Sequence, residues 1–366
     1  MTVVIGFLIN NHPLLVGDIL LSSEEIVGKS IDLPLTGDVR NIFPEGSGFV
    51  PTGLRQKLVV IGDNLALGWS GTRIAAKTII KEMIEHNDRT PFTKETLDAF
   101  IKNIDRIVTE QGFSFVGFLR DPETSGFFMF NSYTHEEPKK FTSEDGGALI
   151  IGAGGEELLN FIEPTGINPR PVNEGVVQST INTGLEYTGA LLNFELATQQ
   201  SLLSYFGAGY ELLTYANGKF QKIEDITYLF WIGDISNEEK SISLSYLVKC
   251  SYADDVLLIR SARVHHFQEE NTKALKDKIF VIDPAYREST ATEIEKFVKP
   301  SYNSNFICSY FLNRKAGADY LTISTCIENV NSGKPSIEFA QNENEINIRI
   351  GKAWLDNFQA HILSRS

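Results

Sequence analysis

Sulfur is scarce in this chain, which has three cysteines and three methionines among 366 residues. Cys250, Cys308 and Cys326 form no CxxC pair. An odd and sparse set of thiols excludes a disulfide framework and points to a reducing compartment. Long apolar runs are missing too. No stretch approaches the ~18 residues a membrane helix needs, so no membrane partner is expected. The first residues show no basic segment followed by an apolar run and a small-residue cleavage site, so no signal peptide is expected and the cytoplasm is the default location. Positive charge is short: 33 Lys and Arg against 47 Asp and Glu give a net charge of −14. Such acidity argues against nucleic acid as a partner. There is no GxGxxG, no Walker lysine–serine pair and no Gly-x-Ser-x-Gly elbow. The histidines are scattered. No cofactor and no metal is therefore expected.

Apolar residues are plentiful at 42% of the chain, enough to fill one large or two ordinary domains. They start at once. Thr2 to Ile9 and Leu14 to Asp18 read as two strands joined by a turn at Asn10-Asn11-His12-Pro13. A strand that begins at residue 2 holds Thr2 at a sheet. Removal of Met1 gives Thr2 a free α-amine beside its own hydroxyl, a base and a nucleophile in one residue.

Further along, residues 24–53 are rich in Gly, Pro, Asp and Ser and read as a long loop. A second hairpin spans Lys57 to Gly71, followed by a helix with Thr72 as its cap and Ile74, Ala75, Ile79, Ile80, Met83 and Ile84 at helical spacing. A second helix from about Thr93 carries Leu97, Phe100, Ile101, Ile104, Ile107 and Val108 on one stripe. Strands are predicted at Phe113–Leu119, Phe127–Tyr133, Ala148–Ile151, Gly207–Leu213 and Ile226–Ile232, with helices at about Glu156–Ile162 and from about Val172 to Gln199. Hairpin connections predict antiparallel sheets, two of them face to face with helices outside. From about Glu238 the chain turns β-rich: Ile242–Tyr252, Val256–His265, Lys278–Ile282, Asn305–Leu312, Tyr320–Ile327 and Ile346–Ile350, with one helix near Thr290–Val298. Two domains are expected, 1–235 and a β-rich module over 236–366 that serves interaction or assembly. The strip Tyr228-Leu229-Phe230-Trp231 reads as core or subunit contact.

Residues Thr2 to Gly155, and more weakly those to Ile232, resemble the proteasome β-subunit family of N-terminal-nucleophile hydrolases. The family heads its mature chain with a threonine; here Thr2 is followed sixteen positions later by Asp18. It starts a strand with a lysine, here Lys57, and ends the next strand with a glycine fourteen positions on, here Gly71. It runs a later strand into a Gly-Ser-Gly turn; here the turn is Gly152-Ala153-Gly154. The resemblance implies an α+β fold, a four-layer αββα sandwich, and a threonine protease or amidase acting through an acyl-enzyme. Thr2 Oγ attacks, its α-amine is the base, Lys57 lowers the pKa of both, Asp18 holds Lys57, and the Gly71 N–H stabilises the oxyanion. It also implies a peptide or amide substrate and a homo-oligomer. Two departures set up an alternative, an inactive subunit used in assembly or binding. Ala153 stands in place of serine, and Ser201 stands where the family's Asp-x-x-Ser-Gly-Gly element has aspartate.

Overall fold

The computed structural model describes residues 2–23, 31–38, 42–43, 50–104, 110, 112–122, 124–133, 137–164, 166–167, 169, 175–234, 241–268, 271–275, 277–297, 303–313, 321–330, 336–342 and 345–364. The chain is mixed α/β and richer in strand than in helix.

The opening hairpin pairs β1 (Val4–Ile9) with β2 (His12–Asp18). Asn10 and Asn11 turn the chain with positive φ, which asparagine tolerates. After Asp18 the strand does not simply continue. β3 (Leu20–Ser23) leaves the hairpin and pairs with β6 (Val50–Leu54), while β4 (Asp32–Leu33) pairs with β5 (Gly37–Asp38). The stretch expected as open loop is therefore stapled to the body, and Leu33, Leu35, Ile42 and Phe43 are buried.

β7 (Leu58–Ile61) and β8 (Leu65–Gly71) form the second hairpin. Two helices follow, α1 (Arg73–Arg89) and α2 (Lys94–Asn103). Thr72 occupies the first cap position, but its side chain makes no capping bond. Thr93 does cap, in a reciprocal pair with Thr96. Ile107 and Val108 lie outside the described residues. Next come β9 (Phe113–Arg120), β10 (Phe127–Ser132), β11 (Lys139–Ser143), β12 (Gly146–Ile151), α3 (Gly155–Ile162), α4 (Val176–Thr198), the short α5 (Gln200–Leu203), β13 (Tyr210–Ala216), β14 (Lys219–Lys222) and β15 (Ile226–Asp234). The remainder is β16 (Ser241–Ala253), β17 (Val256–His266), β18 (Thr272–Leu275), β19 (Lys278–Ile282), α6 (Ala291–Phe297), β20 (Phe306–Asn313), β21 (Leu321–Asn329), β22 (Ile337–Gln341), β23 (Glu345–Ile350) and α7 (Lys352–Ser364). Pattern reading missed the short polar strands β11, β14, β18 and β22 and the C-terminal helix α7.

Three sheets organise these elements. One has the order β11-β12-β1-β2-β13-β14, a second the order β10-β9-β8-β7. They meet through Val4, Leu15, Leu58, Ala66, Val116, Phe118 and Leu213. The alternate residues of the same strands point the other way. Ile5, Phe7, Leu14 and Val16 join α3 and α4 in one core. Val59, Leu67, Phe113 and Phe115 join α1 and α2 in another. Strands buried on both faces read as unbroken apolar runs, as Val3 to Ile9 does, because both pleat faces need apolar side chains.

The third sheet runs β21-β20-β15-β16-β17-β18-β23-β22, with β19 beside β17. β15 and β20 are parallel, an exception to the antiparallel expectation. The boundary expected at 235/236 falls between β15 and β16, which are hydrogen-bonded neighbours. The aromatic strip of β15 is core on both faces: Tyr228 and Phe230 face α4, while Leu229 and Trp231 face α7. Helix α4 lies between the first and third sheets, which explains why residues on every side of it are buried, among them Thr180, Thr188, Asn193 and Glu195.

Candidate functional site

The site forms where β1 starts and β2 ends. Strand register lays Val4 opposite Gly17, which brings Asp18 back beside Thr2. The Thr2 hydroxyl donates to Asp18 Oδ1 in a short hydrogen bond, and the Val3 N–H donates to the same oxygen at 3.1 Å. Asp18 Oδ2 accepts from the Gly207 N–H at 3.1 Å. This carboxylate therefore ties the two residues before β1 to the loop before β13. Burial pushes its pKa up, against the Lys57 charge and these hydrogen bonds, which pull it down.

Lys57 immediately precedes β7, with its ammonium fully buried. Among the described residues the ammonium has no hydrogen-bond acceptor, and it lies 4.3 Å from the centre of the Trp69 ring. The expected direct grip of Asp18 on Lys57 is therefore not made as a hydrogen bond; the two interact through space. Burial lowers the Lys57 pKa to about 8, although Asp18 and Glu211 both pull it upward. Thr2 is 1% exposed, and Asp18 and Lys57 are 0% exposed, so the cluster is closed to solvent.

Gly71 closes β8 with φ +102°, a conformation reserved for glycine, and a Cβ there would sit 1.6 Å from the Gly112 carbonyl oxygen. Backbone shape alone demands this glycine. One residue earlier, Ser70 is buried beside the turn that precedes α3. A Cβ on Gly152 (φ +100°) would sit 2.1 Å from the Thr2 carbonyl oxygen and 3.1 Å from Ser70 Oγ. The Gly152–Gly154 turn is thus packed on Thr2, and the Gly154 N–H donates to the Thr2 carbonyl at 3.4 Å. That close approach accounts for Gly152, and the Phe206 ring, 2.4 Å from where a Cβ would sit, accounts for Gly154. Ala153 is exposed.

Sequence reasoning missed three residues here. Glu211 on β13 accepts the backbone N–H groups of Lys57 and Leu58 on Oε2, at 2.6 and 3.2 Å. Its Oε1 accepts Lys222 Nζ at 2.7 Å and the Tyr252 hydroxyl at 3.0 Å. Glu195 on α4 accepts the Ala208 N–H on Oε2 at 2.8 Å, and burial raises its pKa to about 8. Gln56, just before Lys57, is 0% exposed and bonded on every polar atom. A charged residue inside an apolar run, as in Gly-Tyr-Glu-Leu-Leu, is the only local signal any of them gave. Ser201 is buried with its hydroxyl unpartnered and supplies no carboxylate to the 207–209 loop; Glu195 does.

A cavity of about 690 Å³ lies elsewhere, between β7, β14 and the third sheet, with Lys222, Tyr252, Asp255 and Tyr286 in its wall. Among the described residues no helix is long and apolar enough to cross a membrane. The chain matches no protein-family model and no curated protein.

Proposed function

We propose that the chain is an N-terminal-nucleophile hydrolase of proteasome β-subunit type, cleaving peptide or other amide bonds with Thr2 as nucleophile after Met1 is removed. The observation that carries this reading is that Asp18 is hydrogen-bonded to Thr2 and within electrostatic reach of Lys57, so that three residues from separate strand ends share one buried cluster. Two facing sheets with α1 and α2 on one side and α3 and α4 on the other support the four-layer αββα arrangement.

The chemistry follows from the groups present. Thr2 Oγ forms the new bond to the acyl carbon. Its proton passes to the Thr2 α-amine, whose ordinary pKa is ~7.7–8.0, and then to the leaving amine as the C–N bond breaks. Water later splits the acyl-enzyme. Asp18 orients the hydroxyl through its bond to Thr2 Oγ. Lys57, fixed nearby without an acceptor of its own, holds down the pKa of amine and hydroxyl by its charge when protonated. The Gly71 N–H is the oxyanion donor in this scheme, a contribution worth ~3–4 kcal/mol of barrier.

One observation favours a second reading, an inactive subunit working in assembly or binding: Thr2 is buried. Intact mass separates the two. Absence of Met1, with covalent labelling by an electrophilic threonine-hydrolase probe that Thr2→Ala abolishes, supports the enzyme. Retained Met1, or labelling that survives Thr2→Ala, removes Thr2 as nucleophile.

A further inference from the structure

We infer that Gln56 is a positioning residue for Lys57, and that the C-terminal half of the chain, by gripping Gln56, is a built-in part of the pocket. The catalytic meaning of this rests on the hydrolase reading above; the geometry does not.

Gln56 is held from several directions. Its Nε2 donates to the Asp255 carbonyl at 2.8 Å and to the Ile282 carbonyl at 2.6 Å. Its backbone N–H donates to the Asp283 carbonyl at 3.1 Å. All three acceptors belong to the third sheet and its connections. Its Oε1 accepts Lys222 Nζ from β14. Its carbonyl accepts the Trp69 indole N–H at 3.1 Å. A buried carboxamide with every donor and acceptor engaged has a single orientation, because any rotation strands polar groups away from water.

Gln56 reaches Lys57 by two routes, one through its backbone carbonyl and one through its carboxamide. The Trp69 indole whose N–H the Gln56 backbone carbonyl accepts is the ring on which the Lys57 ammonium rests, and the carboxamide bonds hold that stretch of backbone in place. The Lys222 that binds Gln56 Oε1 also binds Glu211 Oε1, and Glu211 Oε2 grips the Lys57 and Leu58 N–H groups. Backbone and resting surface of Lys57 are thus both set by the same hub. A flexible lysine with no hydrogen-bond acceptor among the described residues needs such a frame, since ordering its side chain costs rotamer entropy. Arg55 strengthens the same grip, donating to the Pro284 and Arg287 carbonyls at 3.4 Å.

The test reads Lys57 itself. Full-length protein carrying ¹³Cε-labelled lysine is titrated by NMR, and Lys57→Arg assigns the resonance. In Gln56→Met, nearly isosteric but without the amide, the Lys57 midpoint is expected to rise by at least about one pH unit as water reaches the ammonium. Tyr310→Phe, a core change far along the chain, leaves it in place. If Gln56→Met does not fold, Gln56→Asn and Lys222→Met carry the same expectation. A folded Gln56 variant with the wild-type Lys57 midpoint overturns the inference, as does an equal shift in Tyr310→Phe. Probe labelling of Thr2 is read on the same samples. No labelling of wild type together with a shifted Lys57 sinks the hydrolase reading alone; labelling with an unshifted Lys57 sinks the positioning role alone.

Discussion

The Lys57 ammonium rests on the face of Trp69, 4.3 Å from the ring centre, and takes no hydrogen-bond acceptor among the described residues. A desolvated cation over an indole gains ~2 kcal/mol. That is less than the several kcal/mol that burial of an ion costs; burial lowers the Lys57 pKa to about 8 even though Asp18 and Glu211 pull it upward.

The sign of the resulting pH dependence is fixed. Between pH 8 and the ordinary lysine value of ~10.4, the unfolded chain holds a proton that the folded chain has released. Stability contributed by this group therefore rises with pH across that window. Denaturant midpoints of wild type and Lys57→Met, compared from neutral to alkaline pH, will show the wild type gaining on the variant; a constant difference contradicts the burial of charge.

Glu195 acts in the opposite sense and in a different window. Its pKa is raised to about 8, so the folded chain keeps a proton that the unfolded chain gives up above ~4.3. Its contribution falls as pH climbs toward 8. Glu195→Gln mimics the neutral acid and should flatten this limb of the stability curve while keeping the Ala208 N–H bonded. A variant as pH-sensitive as wild type between pH 5 and 8 counts against a neutral Glu195.

Gly71→Ala is expected to cost about 3 kcal/mol or more. The left-handed backbone alone is worth 1–3 kcal/mol of strain, and the new methyl meets the Gly112 carbonyl head-on. Thermal unfolding within 1 kcal/mol of wild type would rule out the turn as described.

In α4 two effects compete at Gly189. Alanine gains ~1 kcal/mol of helix propensity. Its methyl would, however, lie 1.9 Å from Tyr310 Cζ, and overpacking costs ~1–3 kcal/mol. Tyr310 cannot retreat easily, because its hydroxyl donates to the Leu185 carbonyl at 2.5 Å. Gly189→Ala should therefore destabilise, and should become neutral or stabilising in a Tyr310→Leu background. The same loss in both backgrounds would show that Tyr310 is not the obstacle.

Much of the fold was legible locally. Apolar runs broken at Asn10-Asn11 and Gly62-Asp63-Asn64 specify hairpins, and the 3.6-residue stripe of α1 specifies a helix, because these signals act between near neighbours. Short polar strands such as β14 carry no such signal. They are strands only because β13 offers them a partner. The expected split at 235/236 falls between two paired strands for a related reason. A strand buried on both faces looks alike whichever sheet it joins, and pairing with β16 and β20 was settled by the tertiary structure.

Sequence by itself determined that Thr2, Asp18, Lys57 and Gly71 stand at their particular spacing, and that strands dominate. Only the tertiary structure decided that Lys57 rests on Trp69 instead of bonding Asp18, and that Gln56, Glu195 and Glu211 support the pocket. The physical reason is that a buried polar group takes its role from whatever satisfies it. For Gln56 and Glu211 those partners lie far away in the chain, brought close only when the sheets close over them.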